Sequence, residues 1–156
     1  MLSVKDKIKA IFFDIDGTLF DTEIRQISTS TIQTIQKLKK NHKVAICTGR
    51  AYDSVKDTGL LDIIDWDGVI VHNGQLVYDY QKQVVYVNYL NSESLKKMVD
   101  LCIAKGLNFS IATSNDWFLI KEANEYVYES HKFFDEIIPH VKEYNYEDAV
   151  MAILYV

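Results

Sequence analysis

The hydrophobic residues of this chain first fall in short, unbroken runs. Ile8 to Ile15 (IKAIFFDI) is rich in β-formers and ends beside a carboxylate. Such a run suits a strand buried on both faces of a parallel sheet. Asp16, Gly17 and Thr18 break it. Ser28 to Asn41 has Ile32, Ile35 and Leu38 on one helical face, with Lys37, Lys39 and Lys40 near the end that favours cations. Lys43 to Cys47 (KVAIC) reads as a second buried strand, followed at once by Thr48, Gly49 and Arg50. Ala51 to Thr58 predicts a short helix stopped at Gly59. Val69 to His72 predicts a third strand, closed by the turn signal Asn73-Gly74. Strand, helix, strand, helix, strand is the right-handed layout of a parallel α/β sheet.

After Gly74 the pattern changes. Gln75 to Tyr78 and Val84 to Val87 flank a polar turn, as in an antiparallel hairpin. Ser92 to Lys105 places Leu95, Met98, Val99 and Cys102 on one helical face, and Gly106 follows as its stop. Asn108 to Thr113 and Trp117 to Lys121 predict a second hairpin around Ser114-Asn115-Asp116. A weaker helical pattern covers Ala123 to Lys132, and the chain ends in the apolar strand Val150 to Val156. Termini are usually polar and frayed, so this ending predicts a second α+β unit that is incomplete as given. There is no internal repeat.

Composition narrows the class. A length of 156 residues allows one ordinary domain or two small ones, and 48% hydrophobic with 25% charged residues is the balance of a folded soluble protein. The net charge of −5 argues against nucleic-acid or anionic-membrane partners, which need a basic face. No stretch approaches the roughly 20 apolar residues of a membrane helix. Lys5, Lys7 and Lys9 precede an apolar run, but it meets Asp14 and Asp16 too soon for a signal peptide. Cys47 and Cys102 have no metal-ligand spacing and read as buried free thiols. They suit a reducing cytoplasm.

The chemistry concentrates in Asp14-Ile15-Asp16-Gly17-Thr18. Functional groups of parallel sheets gather at the carboxyl ends of strands, where Asp14 lies. A carboxylate there can attack phosphorus in line, splitting one hard step into two. A second one, Asp16, can protonate the leaving oxygen and then deprotonate water. Both tasks need a hard cation to screen negative charge, and oxygen ligands beside a phosphate select magnesium. Gly17 lets the backbone turn sharply and approach the phosphate. A calcium loop starting at Asp14 would need Gly sixth and Glu twelfth, where this chain has Leu19 and Arg25. Asp65-Trp66-Asp67-Gly68 repeats the spelling, but its strand follows the acids, which makes it a turn. Thr48-Gly49-Arg50, directly after a strand and before a helix, offers a hydroxyl and backbone N–H groups as an anion cradle.

These residues resemble the haloacid dehalogenase superfamily. Asp14 to Leu19 (DIDGTL) matches the first motif of that family. Cys47-Thr48-Gly49-Arg50 matches the second, in the form typical of the Cof-like branch. The resemblance implies a Rossmann-like parallel three-layer core, represented in part by residues 1–88, with an inserted α+β cap, incomplete, over 89–156. It implies Asp14 as nucleophile and magnesium ligand, and Asp16 as general acid/base with its carbonyl on magnesium. Thr48 and Gly49 would bind the transferring phosphoryl group, and Arg50 would make an orienting contact with it. Having Asp16 favours phosphatase or phosphomutase chemistry over dehalogenase chemistry. The family's third motif, a lysine, and its fourth, an acidic pair, would follow Val156.

The expectation is therefore a magnesium-dependent phosphatase of small phosphorylated metabolites, sugar phosphates above all. The alternatives are an inactive phosphate-binding or interaction module, or a fragment without function of its own. His42, His72, His131 and His140 share no metal spacing and predict surface or satisfied structural roles, with His72 nearest the cleft. Tyr126, Tyr128, Phe133, Phe134, Tyr144 and Tyr146 suit the core of a small domain or an interface better than a sugar-binding face. Exposed in an incomplete cap, they would promote self-association.

Overall fold

In the computed structural model, residues 8–21, 26–134 and 136–156 are described; Lys5, Lys7 and Arg25 lie outside them. The chain divides into two compact units between Tyr86 and Val87.

The first unit carries β1 (Ala10–Phe13), β2 (Lys43–Cys47), β3 (Gly68–Val71), β4 (Leu76–Asp79) and all but the last residue of β5 (Val84–Val87), hydrogen-bonded in that order. β1, β2 and β3 are parallel, and β4 returns antiparallel to β3. The crossovers are α1 (Thr29–Leu38) and the pair α2 (Tyr52–Asp57) and α3 (Leu60–Ile63). Because β1, β2 and β3 succeed each other in one direction, right-handed crossovers place these helices on one face. α1 starts where Ser28 Oγ accepts the Thr31 N–H at 3.1 Å, a cap that contributes about 1 kcal/mol.

Burial follows that one-sided layering. Val44, Ile46 and Val71 are fully buried and Val69 nearly so, whereas Phe12 is 58% exposed and Cys47 is exposed. Two expectations are corrected here. The Ile8 to Ile15 run is not a strand buried on both faces: among the described residues β1 pairs with β2 alone, and its side chains alternate between half-buried and exposed. Cys47 is not buried, because it pairs with Ile70 on the face opposite Ile46 and Val69. Cys102 is buried as expected. A continuous apolar run says that a strand can be covered on both sides; it does not say that helices are there to do it.

Asp67 accepts the Val44 N–H at 3.0 Å and the Lys43 ammonium at 2.7 Å. Burial alone would raise its carboxyl, but these partners hold it below the ordinary value. The second D-x-D-G spelling is thus a structural turn before β3.

The second unit opens with α4 (Ser92–Lys105), capped by Asn91 and ended by left-handed Gly106. β6 (Asn108–Ala112), β7 (Trp117–Leu119), α5 (Glu125–Phe134), β8 (His140–Val141) and β9 (Met151–Tyr155) follow, with sheet order β8-β7-β6-β9. Leu95, Val99 and Cys102 of α4 pack on Phe109, Ile111 and Phe118. Val127 of α5 packs on Leu119 and Tyr155, which point to the other face. A helix on each face explains why all of β6 is buried. Tyr126, Tyr128, Phe133, Phe134 and Tyr146 do not build this core. They are exposed, Phe133 by 81%, while Tyr144 packs beside the α4 cluster. The helical spacing of α5 turns only Val127 and His131 inward.

Candidate active site

Asp14 follows the last residue of β1, and Phe13 pairs with Ile46 of β2. The carboxyl ends of the two strands therefore lie side by side, and the loops 14–21 and 48–51 leave them together. The first loop is wound around one acceptor: the Ile15 carbonyl takes the N–H groups of Thr18, Leu19 and Phe20 at 3.2, 3.0 and 2.9 Å. Gly17 makes that winding possible at φ +70°, where no neighbouring atom would oppose a Cβ but the backbone itself would. Ile15 and Leu19 are buried beneath the loop, leaving Asp14 exposed.

The Asp14 carboxylate accepts the Ile15 N–H through Oδ1 at 2.8 Å, which fixes its orientation and leaves Oδ2 without a donor among the described residues. Asp16 is held differently. Arg50 donates to both of its oxygens, Nε to Oδ2 at 2.9 Å and Nη2 to Oδ1 at 2.8 Å, and Nη1 reaches Ser54 Oγ at 2.9 Å. This planar fork ties the two loops to each other and has a geometry that no lysine could reproduce.

Thr48 is buried, its N–H bound to the Ile70 carbonyl at 2.9 Å. Its Oγ1 accepts the Arg50 N–H at 3.2 Å, and its hydroxyl hydrogen remains to be donated. Gly49 is exposed between them, and a Cβ there would meet Asn73 Oδ1 at 3.0 Å. The corner after β3 supports this loop from the side. His72 and Asn73 donate backbone N–H groups to the carbonyls of Arg50 and Thr48, at 3.1 and 3.2 Å.

All five residues singled out from the sequence, Asp14, Asp16, Thr48, Gly49 and Arg50, lie on these two neighbouring loops. Ser54 escaped the sequence reading, although its position four residues after Arg50 puts it one helical turn on. Asn73 was legible only as a turn. His72 is 3% exposed with Nδ1 unpartnered, not satisfied, and burial pushes its pKa down to about 4. His131 is also buried and held below its ordinary value by that burial, against the nearby charge of Glu136.

Magnesium is bound by one or two carboxylates, with substrate phosphate and water completing the shell. The free Oδ2 of Asp14 and the Asp16 carbonyl, which no described backbone donor reaches, fit that donor set. Among the described residues, no group of three or more His, Cys, Asp or Glu side chains could hold a metal by itself. Within the second unit, a cavity of about 390 Å³ lies between α4 and residues 144–149, its wall including Lys96, Tyr144 and Tyr146.

Comparison with known proteins places this geometry. The sequence model of the haloacid dehalogenase-like hydrolases matches residues 11–156. YkrA of Bacillus subtilis (strain 168) is 36% identical over 92 residues, which make up 58% of this chain and 34% of YkrA. The 5-amino-6-(5-phospho-D-ribitylamino)uracil phosphatase YwtE of the same organism is 31% identical over 109 residues, 69% of this chain and 37% of YwtE. The solved structure of the sugar phosphatase BT4131 superposes with a TM-score of 0.68 at 27% identity, over 86% of this chain and 52% of that one. The chain thus spans about a third of the length of these curated relatives.

Proposed function

The chain belongs to the haloacid dehalogenase-like hydrolases, and from that premise we propose that Asp14 is the nucleophile of a magnesium-dependent phosphatase of small phosphorylated metabolites. Sugar phosphates are the class that the likeness to BT4131 favours. The single observation that carries the reading is the pairing of β1 with β2. It sets an oriented, half-free Asp14 carboxylate on the loop next to the one that carries the Thr48 hydroxyl and the Gly49 N–H.

In this reading, the Asp14 carboxylate attacks phosphorus through the oxygen not engaged by the metal, as the bond to the leaving oxygen breaks. Asp16, in its acid form, gives that oxygen a proton. Water then attacks the aspartyl-phosphate, Asp16 takes a proton from it, and the Asp14–phosphorus link is cleaved. Thr48 and the adjacent backbone donors hold the phosphoryl oxygens throughout. Arg50 acts on Asp16: its fork aims the carboxylate, and it must loosen before Asp16 can carry a proton. Magnesium, when bound by Asp14 and the Asp16 carbonyl, would screen the charge gathered between the carboxylates and phosphate. Residues 89–156 would form a cap domain, where specificity would reside. The reducing cytoplasm, suited to two unbridged thiols, is the proposed compartment, with no nucleic-acid or membrane partner. No helix among the described residues is long and apolar enough to cross a membrane. The exposed aromatics of α5 would favour self-association.

Phosphate release from a panel of phosphorylated metabolites, measured with magnesium on this chain and on the Asp14→Asn variant, tests the reading. Turnover that survives the substitution would sink it. A second reading, a phosphate-binding module without turnover, is favoured by the Arg50 fork that occupies Asp16. Binding of phosphate with no release from any ester would select it.

A further inference from the structure

The corner after β3 is more than a turn. His72, Asn73 and Gly74 all have left-handed backbones, at φ 50°, 55° and 94°. Non-glycine residues held there each store on the order of 1 kcal/mol, and such strain collects at functional sites. Here it is maintained by the bonds from the His72 and Asn73 N–H groups to the motif carbonyls, and by burial of the His72 ring.

This forced corner puts the Asn73 carboxamide against Gly49. A Cβ on Gly49 would lie 3.0 Å from Oδ1 and 3.6 Å from both Cγ and Nδ2. The amide lies over the middle of the Thr48–Arg50 loop. It is nevertheless exposed, and makes no hydrogen bond with any described residue. An amide has two N–H donors and one carbonyl, which a half-turn of the side chain exchanges. An unused neutral donor beside Thr48 suits an anion, and it adds no charge next to Asp14 and Asp16.

We propose that Asn73 is a further phosphate-binding residue, its carboxamide donating to an oxygen of the group held by Thr48 and Gly49. The inference rests on the phosphoryl-site reading above and adds a third strand's contribution to it. The left-handed backbone at Asn73 serves to aim that amide.

Two substitutions separate this role from mere support of the turn. Asn73→Gly removes the amide but accepts the same backbone without strain. Asn73→Asp keeps the shape and replaces a donor with an acceptor. Titration calorimetry with inorganic phosphate and saturating magnesium, on the full chain at pH 7, gives the readout. Asn73→Gly should weaken phosphate about tenfold, as expected for one hydrogen bond to a charged group, with thermal stability unchanged or raised. Asn73→Asp should weaken it more, because a carboxylate in the place of the amide repels the phosphate. Equal affinity in parent and both variants would overturn the proposal alone. A parent chain that binds no phosphate would overturn the underlying site reading, and this inference with it.

Discussion

Acidification should loosen the first unit through His72, and by an amount that can be worked out. The ring is 3% exposed and its pKa in the folded chain is about 4, against 6.5 for an ordinary histidine. The unfolded chain therefore binds the extra proton between these values, and stability falls as pH falls through that window. Above about pH 6.5 both states are neutral at this group and nothing is lost. At pH 5 the unfolded imidazole is almost fully charged and the folded one about a tenth charged, a loss of about 2 kcal/mol. Toward pH 4 it approaches about 3 kcal/mol. His131 carries a depression of the same sign in the second unit, so the two must be separated. Trp66 is buried in the first unit with its indole N–H on the Leu60 carbonyl, and Trp117 lies in the second. Urea unfolding followed by fluorescence in a Trp117→Phe background would report the first unit. A second chain carrying His72→Asn, which tolerates a left-handed backbone and does not titrate, supplies the control. The parent should lose about 2 kcal/mol more than this control between pH 7 and pH 5. Parallel pH profiles in the two chains would refute the assignment. Asp67 cannot mimic the effect, because its carboxyl is held below the ordinary 3.8 and gives up its contribution only in stronger acid.

Other consequences are measured more simply. Native protein should react with a thiol reagent at one cysteine, Cys47, and at both only when denatured, because Cys102 is buried under α4; rapid labelling of two thiols in the native state would contradict the packing. Arg50→Ala should destabilise the first unit by about 2 kcal/mol in the same Trp66 assay, by stripping Asp16 of two charge-assisted hydrogen bonds. Arg50→Lys should recover little of this, since an ammonium cannot form the fork; full recovery would show that charge alone is at work. Gly17→Ala should cost about 1 kcal/mol in thermal unfolding from its left-handed φ, with no steric addition. A much larger loss would mean the loop is packed more tightly than described.

The two motif loops were legible because their chemistry is local. Asp14, Asp16, Thr48 and Arg50 each sit within a few residues of a recognisable strand end, and parallel pairing of those strands brings them together. The same locality made α1 and α4 readable, since Ser28 opens the first and Gly106 stops the second. What was misread depends on neighbours far away in sequence. Whether Phe12 and Cys47 are covered is decided by which face the crossovers occupy, and nothing in KVAIC or IKAIFFDI carries that information. The aromatics of α5 mislead for the same reason: their hydrophobicity was visible, but the side of the helix turned to β9 was not. β8 is two residues long and was missed because so short a strand has no period to detect.

Asn73 and His72 show a third kind of limit. Asn-Gly after a strand is correctly read as a turn, and the ordinary turn reading conceals what this one does. The chain enters left-handed backbone one residue before the expected pair, at His72. The carbonyls of Thr48 and Arg50, more than twenty residues earlier, and the burial of the His72 ring hold it there. Gly49 and Asn73 are then two halves of one contact. A Cβ at 49 would press on the amide at 73, which would have to give way by a few tenths of an ångström. That coupling makes the corner part of the candidate site, and it became visible only when the three strand ends were seen together.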